Sequence, residues 1–338
     1  MVIIFGATGF IGIYLAERLS EQGTQILATD INSAGIEFYE KKGISFVSID
    51  ITKKEDFKKL PVDGVEAVIH LAAMQPANVS ETTYDPLKYI EVNVIGTINV
   101  LEYCRKSKIN KIIYTSSHRN TQGLWKYGKP VREKDGRSIK YDGEYAMFSI
   151  SESAAQDCVE HYRKQHGLKG IIFRLPPVYG YGPHTKIFWH GKPVKTGFQI
   201  FIENAMAGKA IEVWGDCRIG RDIIYIKDVT EAFILALKCS DVEGLYNISS
   251  GRSIPLIEEV QNIIKIFCGK NGESKIFYKP EKSNSIEPFR YDNSKAKEDF
   301  GWEPKYSFED MLIDYKREME SGQYSFLVEK RMRMLEKQ

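Results

Sequence analysis

The sequence predicts an α/β fold, a doubly wound parallel sheet followed by a smaller and less regular C-terminal region. Three observations carry this: β-rich runs alternate with amphipathic helical stretches up to residue 175, the first run enters its helix through three glycines, and the rhythm breaks after residue 176. Such alternation sets strands side by side in parallel with helices on both faces. In order, "VIIF" (2–5) precedes a helix at 11–22, "QILAT" (25–29) one at 33–42, and "ISFVSI" (44–49) one at 53–60. "AVIHLA" (67–72) leads to a helix at 86–106. "KIIYTSS" (111–117) leads to a long helix containing "YAMFSISESAAQD" (145–157), and "GIIFRL" (170–175) closes the series. Pro176, Pro177, Gly180, Gly182 and Pro183 then interrupt it ahead of the polar loop "TKIFWHGKPVKTG" (185–197). "DIIYI", a helix near 227–239 and "GLYNI" restore the strand-helix-strand character over 222–246. The tail "EKRMRMLEKQ" (329–338) reads as an exposed, partly frayed helix.

With 338 residues, 43% hydrophobic and 27% charged, the chain can bury a large core in one large or two modest domains. Its 47 Lys and Arg against 45 Asp and Glu leave a net charge of +2, which provides no global field for nucleic acid or an anionic membrane. Any anionic ligand must be held by local groups. Cys104, Cys158, Cys217, Cys239 and Cys268 lie far apart without a CxxC pair, which points to reduced thiols and away from a zinc or disulfide site. Met1 opens directly into an apolar run with no basic flank or cleavage site, and no apolar run reaches the length of a membrane span. The expectation is a cytoplasmic protein without membrane contact.

"FGATGFIG" sets Gly6, Gly9 and Gly12 between a strand and a helix. Glycines let the chain turn tightly there, so that the backbone around Thr8, Phe10 and Ile11 can approach a pyrophosphate at the positive end of the helix. Asp30, about 20 residues on, ends "QILATD", where a carboxylate can accept from an adenosine ribose. Together these features predict a Rossmann-type dinucleotide domain. No Arg or Lys closely follows Asp30 to meet a 2′-phosphate, which favours NAD over NADP. A purely structural glycine turn is the alternative.

The GxxGxxG spacing, with "DI" (50–51), "HLAA" (70–73), "NVIGTINVLE" (93–102), "YTSS" (114–117), "RLPPVYG" (174–180), "RDIIYIKDV" (221–229) and "YDNSKAKEDFGWEP" (291–304), resembles the extended short-chain dehydrogenase/reductases. More narrowly, the chain is similar to the NAD-dependent nucleotide-sugar epimerase/dehydratase family over almost its whole length. The resemblance implies an NAD-binding domain at 1–178 plus 222–246, a smaller nucleotide-sugar domain at 179–221 plus 247–325, and a tail at 326–338. It implies that Asp50 and Ile51 border the adenine, that Leu71, Ala72 and Ala73 line the cofactor cleft, and that Asn93 braces the nicotinamide side. Thr115 and Pro176 belong to the same cofactor set by resemblance. Each of these positions also has a plain packing reading.

Members of that family carry a YxxxK pair, a tyrosine acid/base whose pKa is lowered by the lysine. Two registers are open in this chain. Tyr145 with Ser149 requires extra residues inside the helix, whereas Phe148 with Glu152 aligns through "GIIFRL" without a gap. The second register is favoured, and it puts Phe148 and Glu152 at the nicotinamide and its ribose. Neither can play the family role, because Phe148 lacks a hydroxyl and Glu152 reverses the charge.

Ser117 matches the family residue that bonds the reacting sugar hydroxyl. His118 and Arg119 stand where sugar 4,6-dehydratases show an Asp-Glu pair, which argues against dehydration. Tyr145, His118 and His184 are the candidate acid/base replacements, each with a structural or substrate-contact alternative. At the sugar-nucleotide end, Arg221 corresponds to the arginine that grips the diphosphate, with Arg218 and Lys282 as assistants. An ion pair of Arg221 with Asp222 or Asp228 is its alternative. Phe198 and Gln199 fall where the family covers the base, and Pro177 replaces a diphosphate-contacting asparagine. Two classes stay open: an enzyme acting on a nucleotide-linked sugar by an oxidation-driven step such as epimerisation, and a non-catalytic relative that binds NAD and a sugar nucleotide. The family further implies a homodimer through the helices at 86–106 and 148–166.

Overall fold

A computed structural model describes residues 1–32, 35–126, 128–269, 272–284 and 286–336. Ser33 and Ala34, at the start of the helix expected over 33–42, and Lys337 and Gln338 in the tail lie outside the described residues. The first half runs β1 (Val2–Phe5), α1 (Phe10–Glu21), β2 (Ile26–Asp30), α2 (Ile36–Lys41), β3 (Ser45–Ser48) and β4 (Ala67–His70). Next come α3 (Pro86–Tyr89), a π-helical stretch (Ile90–Gly96), α4 (Thr97–Lys106), β5 (Lys111–Ser117), α5 (Ala146–His166) and β6 (Lys169–Leu175). The remainder comprises β7 (Val178–Tyr179), β8 (Lys186–Trp189), β9 (Lys192–Lys195), α6 (Gly197–Met206), β10 (Ile211–Trp214), β11 (Gly220–Asp222) and β12 (Ile224–Tyr225). It ends with α7 (Ile226–Lys238), β13 (Gly244–Asn247), β14 (Ser253–Pro255), α8 (Leu256–Phe267), β15 (Ile276–Lys279), α9 (Ser294–Phe300), α10 (Phe308–Ser321) and α11 (Ser325–Glu336).

The main sheet is parallel, in the order β3-β2-β1-β4-β5-β6-β13. Strands buried on both faces need continuous apolar runs, and β1 and β4 are buried at every position. One apolar core lies against α1 and α7 and continues into α8 and α10; a second lies against α4 and α5 on the other face. The strand order reverses between β1 and β4, and at such a switch point a crevice opens at the carboxyl ends of the strands.

Three local expectations change. The segment expected as a helix at 53–60 is a 3-10 helix over Lys54–Lys59. "DIIYI" does not return to the main sheet: β11 pairs with β14 and β12 with β7, and only β13 joins β6. Asp222 explains the break, because its buried carboxylate accepts from Ser250 Oγ at 2.7 Å and from the Tyr291 N–H at 3.0 Å, tying this strand to the C-terminal region. The largest change is the tail. Instead of an exposed helix, α11 packs back onto the first domain, with Leu327 and Arg331 buried.

Candidate active site

The crevice at the switch point is a cleft of about 2110 Å³ that runs from the glycine loop past β5 and α5 to α6 and β10. Its first wall is built by backbone. Gly6 has φ +78°, and a Cβ there would sit 2.6 Å from the Ala72 nitrogen, so only glycine allows β1 to turn this close to the Leu71–Ala73 segment. At Gly12 a Cβ would run into the Ala7 carbonyl, so glycine also sets how tightly α1 meets the loop. Asp30 holds the loop from β2, accepting from the Thr8 N–H at 3.0 Å and the Asn32 N–H at 2.9 Å. Gly6, Thr8, Gly9, Phe10, Ile11, Gly12, Asp30, Asp50, Ile51 and Leu71 to Ala73 all line the cleft.

Further along, Thr115, Ser117, Phe148, Glu152, Pro176 and Pro177 line the same cleft, and Tyr145 joins them. Tyr145, at the N-terminal end of α5, is half-buried, whereas Ser149 is buried and does not line the cleft. Phe148 also packs on Val79 and Tyr89. Glu152 is buried and accepts from the Tyr114 hydroxyl at 3.0 Å; burial pushes its carboxyl up to about 8. It is therefore mostly protonated at pH 7. Asn93 is buried below the lining, where its side chain bonds the Met74 backbone at 2.7 and 3.2 Å and Ser151 Oγ at 2.9 Å. It fixes the loop after β4 against α5 and does not itself line the cleft.

Ser117 Oγ accepts from the Arg119 N–H at 3.1 Å and starts the turn that carries the next two side chains. Arg119 lies over the Tyr145 ring, 4.0 Å from its centre, in a cation–π contact. The His118 ring lies parallel to Trp125 and Phe289, with centres 5.7 and 5.5 Å away, beside the stack those two rings make with each other at 4.2 Å, and its Nδ1 lies 3.2 Å from the Leu175 carbonyl. Burial, then the charge of Arg119, pushes this imidazole well below its usual value. A carbonyl can only accept, so the neutral ring donates from Nδ1 and leaves Nε2 as its lone pair. His184 is edge-on to Phe10, with ring centres 5.2 Å apart, and opens onto the cleft. The enclosing walls, then Arg331, push it down, a push that solvent in the open cleft weakens.

At the far end Arg221 donates from Nη2 to the Tyr179 hydroxyl at 2.9 Å and lies near Glu259, with its buried Nε lacking a hydrogen-bond partner. Among the described residues it pairs with neither Asp222 nor Asp228, whose carboxylates are taken by Ser250 and Tyr291 and by the Lys305 and Tyr306 N–H groups. Phe198 lines the cleft; Gln199 does not, and donates to Glu203 at 3.0 Å. Arg218 is exposed outside the lining, bound to Asp216 at 2.9 Å. Lys282 is also outside it, bound to Glu212 at 2.6 Å and over the Trp214 ring. Glu259, Trp214 and the α11 residues Phe326, Leu327, Lys330 and Arg331 also line the cleft, and no motif in the sequence points to them.

The family model described as the NAD dependent epimerase/dehydratase family matches residues 2–249. The chain belongs to this family. NAD is thus the cofactor class, and the glycine cradle with Asp30 beside it fits such a group. A protein from Methanocaldococcus jannaschii described as a putative UDP-glucose 4-epimerase is 29% identical over 90% of this chain and 93% of its own. The structure of UDP-glucose 4-epimerase from Thermotoga maritima with UDP-glucose is similar with a TM-score of 0.76 at 27% identity, covering 94% of this chain and 99% of that one. The Thermus thermophilus UDP-glucose 4-epimerase complex with NAD has a TM-score of 0.74 at 25% identity, covering 94% and 98%.

Proposed function

We propose that the protein carries out an oxidation-driven step, epimerisation foremost, on a nucleotide-linked sugar, with Tyr145 performing the proton transfer that Phe148 cannot. The observation that carries this reading is the Tyr145 ring in the cleft beneath Arg119, with a centre distance of 4.0 Å. A phenol and a cation are thereby brought together from a loop and a helix end, in a family member whose matched helix positions hold neither. When bound, NAD supplies the hydride acceptor and donor. The glycine cradle and Asp30 would hold its adenosine half, and Thr115, Phe148, Glu152 and Pro176 would border its nicotinamide half.

Ser117 spends its oxygen lone pair on the Arg119 N–H and keeps its own proton for a sugar hydroxyl. Tyr145 takes the proton of the reacting hydroxyl as the carbon loses hydride, and returns it when hydride comes back to the other face. Arg119 is the cation that faces the phenolate Tyr145 must be in order to take that proton; once the proton is taken the phenol is neutral. His118 is a poorer proton carrier, since burial and the charge of Arg119 oppose the imidazolium it would become, and at His184 the charge of Arg331 opposes it. Arg221, with its unpartnered Nε, would hold the diphosphate and Phe198 would cover the base. The UDP-glucose of the Thermotoga relative favours a UDP-sugar.

The test uses purified protein, NAD and UDP-, dTDP- and GDP-linked hexoses, with the sugar product read by NMR. Tyr145→Phe is expected to lower turnover by about 100-fold or more with NAD binding unchanged. Turnover within a few-fold of wild type would remove Tyr145 from the reaction, and a wild type that binds NAD and sugar nucleotide without turnover would favour the non-catalytic reading.

A further inference from the structure

The C-terminal helix lies against the part of the cleft where the cofactor phosphates belong, a contact that nothing in the sequence of the glycine loop anticipates. Lys330 Nζ donates to the Thr8 carbonyl at 2.9 Å and to Thr8 Oγ1 at 2.8 Å. Thr8 is the residue whose N–H is held by Asp30, and it stands two positions before α1 begins at Phe10. The helix is fixed in this position at several points. Arg331 is buried and donates to the Lys186 carbonyl at 2.8 Å, to Asn78 Oδ1 at 2.6 Å and to the Ala77 carbonyl. Just before α11, Tyr324 stacks on Tyr14 of α1 with ring centres 4.1 Å apart and bonds Glu17.

We infer that α11 is part of the cofactor site and that Lys330 supplies a cation to the adenosine-pyrophosphate half of NAD. An ammonium group has three N–H donors, and Thr8 takes two of them. The charge is placed beside the positive end of α1, where helix dipole and ammonium repel each other. Asp30, across Thr8, offsets part of that charge, and an anion seated on the loop offsets the rest. A pyrophosphate meets both groups at once, the exposed N–H groups of the helix start and the third ammonium donor. Phe326 and Leu327, which line the same cleft, give α11 an apolar side beside that charge. The assignment goes beyond the proposed reaction, since it concerns how the cofactor is held whichever sugar is used.

Calorimetric titration of the full chain with NAD and, separately, with ADP tests it. Lys330→Gln is expected to weaken both ligands about tenfold, the usual scale for one hydrogen bond to a charged group, and to flatten the salt dependence of binding. Lys330→Arg should recover most of the loss. Since the Gln variant also loses a contact to Thr8, each variant is titrated well below its own melting temperature. Affinities of folded Lys330→Gln within twofold of wild type for both ligands would overturn the inference. A loss for NAD with none for ADP would also overturn it, because the contact would then lie on the nicotinamide half.

Discussion

At the scale of single residues, Glu152 stands where the resemblance implies a lysine. It occupies a buried position on α5 beside the Tyr114 hydroxyl, and burial lifts its carboxyl from the ordinary 4.5 to about 8. The sign follows from linkage. Below pH 4.5 the group is protonated folded or unfolded; between 4.5 and 8 only the unfolded chain releases the proton, so this residue's contribution to stability falls as pH rises and levels off above 8. Glu152→Gln, a neutral mimic, should therefore melt like wild type near pH 4 and progressively above it toward pH 8, in thermal scans across that range. A constant difference between the two proteins at all pH values would place the charge elsewhere. Helical spacing made it readable that Phe148 and Glu152 share one side of α5, four residues apart. Which loop side chains reach the same cleft was not readable, because Phe289, one of the rings beside His118, comes from a distant part of the chain.

At the scale of elements, the glycine loop was the most legible feature, since a turn between strand and helix with close backbone approach leaves glycine few substitutes. Gly6→Ala tests that reasoning: φ of +78° and the Ala72 backbone both oppose a Cβ. Urea denaturation should show a stability loss of about 1 kcal/mol or more, accompanied by weaker NAD binding; unchanged stability and affinity would contradict the close approach. The strands at 222–226 were less legible, because apolar content told that they are buried but not which sheet they join. The burial of the C-terminal helix is hidden for the same kind of reason. Its anchors, Arg331 on the carbonyls of Ala77 and Lys186 and Tyr324 on Tyr14, depend on long-range packing that leaves no mark in local periodicity.

At the scale of the whole molecule, the division proposed from the sequence places NAD over the main sheet and the sugar nucleotide between that sheet and the region of α6, β10 and α8, with one cleft spanning both. Among the described residues no helix is long and apolar enough to cross a membrane. The face made by α3, the π-helical stretch, α4 and α5 leaves Leu87 and Ile95 exposed, at 68% and 44%. We propose that it pairs with a second copy around a two-fold axis. Light scattering is expected to give twice the 38.7 kDa chain mass, and Leu87→Asp with Ile95→Asp should shift it toward the monomer; a wild-type monomer at micromolar concentration would contradict the proposal. The carboxylate of Asp30 beside the loop also leads us to expect tighter binding of NAD than of NADP, and the reverse order in a titration would count against it.

The central claim is that this cleft works with a rearranged acid/base set and is not an impaired version of the usual one. The most direct measurement is the turnover of the protein's own sugar nucleotide by the double variant Phe148→Tyr with Glu152→Lys, set beside wild type and Tyr145→Phe under the same conditions. Installing Phe148→Tyr with Glu152→Lys is expected to leave native turnover unimproved, while Tyr145→Phe loses it. A double variant that turns over faster than wild type, with Tyr145→Phe still active, would show that the usual pair belongs at these positions and that Tyr145 is a bystander.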